Sequence, residues 1–530
     1  MSSAGVEHRF AELFHYTSGR WLWDEEKQKG DRFAAFNVPE LQRVAAKSIG
    51  ANECIAITKL AEGSFNKTFK LRMNNGTNVI ARIPHPIAGP QYYTTASEVA
   101  TMDFARSVLE IPTPKVYAWN ADKNNPVGSE YIIMEEARGT QLDDIWNDLS
   151  LEERIVIMKD LVSIEKKMLS VSFNRYGSLY YATQNIPGAA MAEVVSDVPE
   201  EVKNTVMRRF AIGPVVERDY WNNERATMDI DRGPWKCAQD YVTSPARREL
   251  QWIKHYAVPK TPDDPLITSV TQNSPDSHLS LLQKYLEAAP FLLPDDPAIV
   301  APHIWHTDLH SANIFVDQGH ICSVIDWQGT WAAPLILCAR HARLVDYQGE
   351  IILKAPANFN DLEPDEKNKI RRQMSSSIIL YLYEKQIAKE APLLNKALRF
   401  SHGRTRCDPI HFVGDTWDDD IFPLRESLIR VERYWDELGF DFPCPIHFTE
   451  DEVCAHAKDG EGWNDVQDFW SSVAGIVSRD GWTPNHLYND AVALFQELRE
   501  IGLKSLVDKE RVEFKNQTEW IETHSRDHRV

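Results

Sequence analysis

The sequence predicts an α+β protein in two lobes: a small antiparallel β lobe, then a large, mainly helical one, with a cleft where they meet. Three observations carry this. Between residues 50 and 137, strand-like runs, one helix and a hairpin follow one another closely. Beyond Gly139 the pattern turns helical and stays so to about residue 508. The chain is 530 residues long and 43% hydrophobic, enough apolar material for large cores.

The elements follow in order. "PELQRVAAKSIG" (39–50) reads as a short helix stopped at a glycine. Two strand-like runs, Ile55 to Leu60 and Lys67 to Met73, flank a Gly-Ser turn, and Asn74-Asn75-Gly76 turns the chain into a third, Val79 to Ile83. Residues 92–109 are helical, with Val99, Met102, Ala105 and Leu109 on one face. The prolines of "IPTPKV" stop that helix. A hairpin follows, from Val116 to Trp119 and then through "EYIIMEEA". Further helices are expected at 151–169, 278–288, 365–389, 424–438, 465–478 and 484–508, with an exposed Pro-rich loop at 259–277.

Composition narrows the function. With 58 basic and 78 acidic residues the net charge is −20, which argues against nucleic acids and anionic membranes as partners. Seven widely spaced cysteines with no CxxC pair disfavour a disulfide framework and a thiolate zinc site. No run of 18 apolar residues is present, so no transmembrane helix is expected. The N-terminus lacks an apolar secretory core and carries Glu7, Glu12, Asp24, Glu25 and Glu26, which a transit peptide would avoid. A cytoplasmic location is the expectation.

The stretch that carries chemistry is "HIWHTDLHSANIFVDQGHICSVIDWQG" (303–329). "NIFV" and "ICSVI" are apolar and β-rich, with the turn "DQGH" between them. They make a short hairpin entered from a polar loop and left through Asp326. Asp308 and Asn313 lie in that loop, and the hairpin can fold Asp326 back beside Asn313. An aspartate carboxylate and an amide oxygen are hard donors suited to Mg²⁺. Asp308 is then left to orient a substrate hydroxyl and take its proton, as phosphoryl transfer requires. A satisfied polar loop capped by histidines is the plainer alternative.

"HTDLHSAN" resembles the catalytic loop of the aminoglycoside phosphotransferase family, a branch of the protein-kinase-like fold, and "IDW" resembles that family's metal-binding aspartate segment. The resemblance implies a bilobal protein-kinase-like fold, ATP as phosphate donor and Mg²⁺ as cofactor. It makes Asp308 the catalytic base, Asn313 and Asp326 the metal ligands, and His306 and His310 shapers of the loop. "LAEGSFNKTFKL" resembles the phosphate-covering loop, with Gly63 and Ser64 letting backbone N–H groups approach phosphate. "NVIAR" occupies the strand where kinases place a phosphate-pairing lysine. Here it is Arg82, which keeps the charge but not the geometry. Glu98 is its natural partner, unless both are ordinary surface charges. "YIIMEEARG" resembles the hinge, with Met134, Glu135, Glu136 and Ala137 meeting adenine through the backbone.

On this resemblance residues 1–49 are a helical extension and 50–137 the nucleotide-covering lobe. Residues 138–530 are the helical lobe, with a catalytic loop at 304–328 and an insertion at about 185–277. Segments 14–25, 212–236 and 414–435 resemble a fungal subgroup of the family, that of altered inheritance of mitochondria protein 9, which makes a mitochondrial location the alternative.

The function expected is transfer of the γ-phosphate to a hydroxyl of a small molecule. Thr307 stands where protein kinases have arginine, and no APE-like segment follows Asp326, so a protein acceptor is disfavoured. The acidic cluster Asp415, Asp418, Asp419 and Asp420 suits a cationic acceptor, or simply starts a helix. The tryptophans and arginines of 218–236 line the cleft or pack the insertion onto its lobe. A catalytically inactive, kinase-like binding or scaffold protein is the competing reading, motivated by Arg82.

Overall fold

The computed structural model describes residues 10–260 and 269–521. Fifteen strands are described in chain order: β1 (Gly19–Trp21), β2 (Cys54–Glu62), β3 (Asn66–Met73), β4 (Asn78–Pro84), β5 (Val116–Asn120), β6 (Tyr131–Glu135), β7 (Thr140–Gln141), β8 (Gly177–Tyr181), β9 (Ala190–Met191), β10 (Phe210–Gly213), β11 (Pro302–Ile304), β12 (Ile314–Asp317), β13 (His320–Val324), β14 (Trp331–Pro334) and β15 (Trp482–Pro484).

The first lobe is a five-stranded antiparallel sheet in the order β2-β3-β4-β6-β5. The central strands β4 and β6 are buried almost throughout, as a sheet covered on both faces requires, while β3 alternates. Phe69, Leu71 and Met73 of β3 pack on Leu41 and Ala45 of the Val38–Ser48 helix, with Phe14 and Phe36. On the opposite face Ile80, Ile132 and Met134 pack on Val99, Met102 and Ala105 of the Tyr93–Ser107 helix. The β3–β4 turn forms where expected, with Gly76 at φ 82° and its N–H bonded to the Met73 carbonyl at 3.1 Å.

The second lobe is mainly helical but is built around a sheet that the sequence reading did not anticipate. Strands β11-β14-β8-β10-β9 form a five-stranded antiparallel layer between residues 177 and 334. Its strands are at most five residues long and pair across large sequence separations, so periodicity could not reveal them. A third sheet, β13-β12-β7, holds the expected hairpin. Gly139, at φ 82° before β7, lies so close to the Val316 carbonyl that no Cβ fits, which seats the inter-lobe linker on that hairpin.

The segment read as an N-terminal helical extension holds helices Glu25–Asp31 and Val38–Ser48, but also β1. β1 pairs antiparallel with β15, joining opposite ends of the chain. The helix expected at 465–478 overlaps only the end of the Glu450–Ser472 helix, which starts earlier and stops before 473. Part of the Pro-rich loop, 261–268, lies outside the described residues, and Pro275 already opens the Pro275–Ala288 helix. All seven cysteines are unpaired, and among the described residues no helix is long and apolar enough to cross a membrane.

Candidate active site

The polar loop leaves β11 and is pinned from beneath. His306 is buried, its Nε2 is 2.9 Å from the Ile325 carbonyl, and its ring meets Trp327 edge-on with centroids 4.8 Å apart. Burial pulls its pKa down, so the ring is neutral and donates from Nε2. The Ile325 N–H donates in turn to the Asn313 carbonyl at 3.0 Å. These two bonds fold the exit of β13 back on the loop and bring Asp326 beside Asn313. Asp326 has φ 64°, a left-handed conformation uncommon outside glycine and typical of functional sites.

Asn313 is buried at the end of a short 3-10 turn, and its Nδ2 donates to the Asp308 carbonyl at 3.0 Å. That leaves Oδ1 as its uncommitted donor atom for a cation. Asp308 is open to solvent, its side chain 52% exposed. His310 Nδ1 accepts the Ala312 N–H at 3.2 Å, and its Nε2 lies 3.1 Å from Asn313 Nδ2 and 3.5 Å from the Asp308 carboxylate. Arg343 Nη2 lies 3.5 Å from the other oxygen.

Arg82 joins this site to the first lobe. It is buried on β4, and Glu98 is buried on the Tyr93–Ser107 helix, so neither is a surface charge. Arg82 Nη1 bonds Glu98, while Nη2 bonds Asp326 Oδ1 at 2.7 Å and Gln328 Oε1 at 2.8 Å. Gln328 Oε1 also accepts from Asn66 Nδ2 at 2.6 Å, and its Nε2 donates to the Ala88 carbonyl at 3.1 Å. One side chain thus ties the β2–β3 turn, the loop after β4 and Arg82 together. Burial drives the Glu98 carboxyl up to about 7 against the pull of Arg82. Burial also pushes Asp326 upward, but the charge and hydrogen bond of Arg82 hold it below the ordinary carboxylate range.

The remaining anticipated residues are distributed around the cleft. Gly63 and Ser64 are exposed at the β2–β3 turn. The Gly63 N–H, expected to face phosphate, closes the turn onto the Asn66 carbonyl at 3.0 Å, and its φ is not left-handed. Met134 and Glu135 end β6, and Glu136 and Ala137 follow. The side chains of Glu135 and Glu136 are spent on neighbours: Glu135 on Arg106 and Arg138, Glu136 on Lys70 at 2.6 Å. The Glu135 N–H is also taken, by the Lys115 carbonyl at 2.8 Å.

The acidic cluster is largely structural. Asp418 pairs with the buried Arg225 at 2.9 Å, and Asp420 accepts the Phe422 N–H at the start of a helix. Asp415 is pushed up to about 7 by burial and by the charges of Asp219 and Asp418. Most of the insertion's aromatic and basic side chains pack it onto its own lobe, as in Arg225 on Trp252 and Arg232 on Trp221. The sequence reading missed Gln328 and Arg343 as site residues. Both lay near the motif, but nothing in their spacing announced a partner on another element.

The donor set fits Mg²⁺, which commonly uses one or two protein oxygens and takes the rest from phosphate and water. Asn313 Oδ1 and Asp326 would hold it, with one Asp326 oxygen already on Arg82. Among the described residues no group of three or more His, Cys, Asp or Glu side chains is arranged for a metal ion. The pair therefore relies on ligands brought by a substrate.

Fold and site together define a kinase-like phosphotransferase class. Residues 56–336 match the phosphotransferase enzyme family (APH), and the chain belongs to that family. A subtelomeric hrmA-associated cluster protein of Aspergillus fumigatus is 33% identical, spanning 84% of this chain and 92% of its own. Altered inheritance of mitochondria protein 9, mitochondrial, of Yarrowia lipolytica is 26% identical over 90% of this chain and 85% of its own. Among solved structures, a thermostable mutant of aminoglycoside phosphotransferase APH(4)-Ia, in ternary complex with ADP and hygromycin B, aligns with 76% of this chain and 100% of its own, at 14% identity and a TM-score of 0.35.

Proposed function

We propose that this protein transfers the γ-phosphate of ATP, with Mg²⁺, to a hydroxyl of a small molecule. The observation that carries this is the gathering of Asp308, Asn313 and Asp326 by the Ile325–Asn313 backbone bond, with Arg82 and Glu98 behind them. Asp308 orients the acceptor hydroxyl and takes its proton. The acceptor oxygen forms a bond to the γ-phosphorus as the bond to the β,γ-bridging oxygen breaks, and ADP leaves. Mg²⁺ supplies charge neutralisation on the phosphates. Asn313 and Asp326 hold that charge in place, and Arg82 fixes the Asp326 carboxylate. The adenine meets the backbone at Met134 to Ala137, and the β2–β3 turn with Ser64 covers the phosphates.

The test is thermal unfolding with ATP, with and without Mg²⁺. A ligand bound only by the folded state at a hundredfold excess over Kd adds about 2.7 kcal/mol. A Mg²⁺-dependent rise in Tm that is lost in Asp326→Ala and kept in Asp308→Asn is expected. Absence of any shift in the wild type would overturn the proposal. A second reading, a binding protein without turnover, draws on Arg82 occupying one Asp326 oxygen. ATP-dependent product formation that disappears in Asp308→Asn would remove it.

A further inference from the structure

We propose that Arg218, carried across the cleft by the insertion of the helical lobe, is a phosphate-positioning residue acting on the loop between β2 and β3. The inference rests on the nucleotide reading above and names a residue that reading lacks. A triphosphate needs cations, and the site's expected one is already committed. Arg82 is buried, and its two terminal nitrogens are spent on Glu98, Asp326 and Gln328. Asp308, Asp326 and Glu98 add negative charge in the same space.

Arg218 answers that need by position. Its guanidinium carbon sits 4.1 Å from the centre of the Phe65 ring. Phe65 lies between Ser64 and Asn66 in the β2–β3 turn. The turn is held on both sides: the Phe65 carbonyl accepts the His85 N–H at 2.8 Å, and Asn66 is bonded to Gln328, two residues past Asp326. A guanidinium stacked on a ring through its face keeps its N–H edges for an oxyanion. Arg218 is exposed, and among the described residues it makes no ion pair. Its acidic neighbours Glu217 and Asp219 act instead on the buried Arg248.

The segment that delivers it is braced. Tyr220 is buried, with its hydroxyl 3.1 Å from Ser244, and Trp221 Nε1 donates to the Val215 carbonyl at 2.8 Å. The Trp221 ring also meets Tyr93, at the start of the helix that carries Glu98, with centroids 5.1 Å apart. The insertion thus touches the first lobe at several points, through Arg209 on Asp103, Trp221 on Tyr93 and Arg218 on Phe65, and the last of these sets a charge at the β2–β3 turn. Arginine supplied from outside the nucleotide-holding lobe is an established way to stabilise charge on a transferring phosphoryl group.

The experiment is calorimetric titration of wild type, Arg218→Ala and Arg218→Lys with Mg²⁺ plus ATP, ADP, tripolyphosphate or adenosine. Arg218→Ala is expected to weaken ATP and tripolyphosphate binding about tenfold, the loss of one charge-assisted contact. Adenosine binding should stay within about twofold. Arg218→Lys should recover part of the loss, and the ligand-free Tm should not move. Unchanged ATP and tripolyphosphate affinities in Arg218→Ala would overturn the inference, since the stack would then be packing alone. Equal weakening of every ligand with a lower ligand-free Tm would overturn it too, as a structural role. If the wild type binds none of the phosphate ligands, the nucleotide reading itself fails and takes this inference with it.

Discussion

Beneath the catalytic loop lies a carboxyl that, among the described residues, no charge partner neutralises. Glu165 is buried, and burial drives its pKa up to about 8, against the hydrogen bonds it accepts from the Tyr383 hydroxyl at 2.9 and 3.0 Å. A carboxyl whose folded pKa exceeds its ordinary 4.5 is most favourable to folding below pH 4.5, and that contribution is lost as pH rises through about 8. Glu165→Gln, which keeps an oxygen for Tyr383, should therefore gain stability over wild type as pH climbs from 4.5 to 8, by on the order of 3 kcal/mol. Denaturant titrations at both ends of that range would check it, and a pH-independent difference would refute it. The gathering of Asp308, Asn313 and Asp326 was legible in sequence because it is local, set by one loop and one hairpin. Gln328 was not, because its bonds run to distant elements such as Ala88, 240 residues away, and the stretch 218–236 could be read only as cleft-lining or packing, since the Arg218 contact with Phe65 is set by the fold.

At the scale of elements, the strands of the first lobe were readable because hairpin turns and alternation are written in consecutive residues. The sheet of the second lobe was not, since β8 finds its neighbours in β10 and β14, and the latter lies more than a hundred residues on. The Glu450–Ser472 helix shows a middle case. Its capping box, Thr449 with Glu452, lies 16 residues before the expected start, and Gly460 and Gly462, poor helix formers, interrupt the pattern between them. The β1–β15 pair rests on close approach. A Cβ at Gly19 would meet the Trp482 side chain and the Thr483 carbonyl well inside contact distance. Gly19→Ala should part these strands, which hydrogen exchange would show as lost amide protection confined to 19–21 and 482–484. Retained protection there would mean the backbone shifts to admit the methyl group.

For the whole molecule, the lobes are already bound to each other. One core cluster runs from Ile80 and the Tyr93–Ser107 helix through the second lobe to Cys407. Gln328, Trp221 and Arg218 add bridges nearer the cleft. Nucleotide binding should therefore close the cleft little, and X-ray scattering with and without Mg²⁺-ATP is expected to differ in radius of gyration by under about 1 Å, as for pre-organised partners. A larger contraction would show that these bridges yield. The pairing of β1 with β15 has a different consequence, one of timing. Trp21 bonds Asp480 across 459 residues. A ribosome delivers the first strand's partner only after nearly all of the catalytic machinery has emerged. Residues 19–23 must wait through synthesis with Trp21 and Leu22 uncovered, and a nascent chain halted before β15 would carry that apolar segment as a mark of incompleteness open to chaperones.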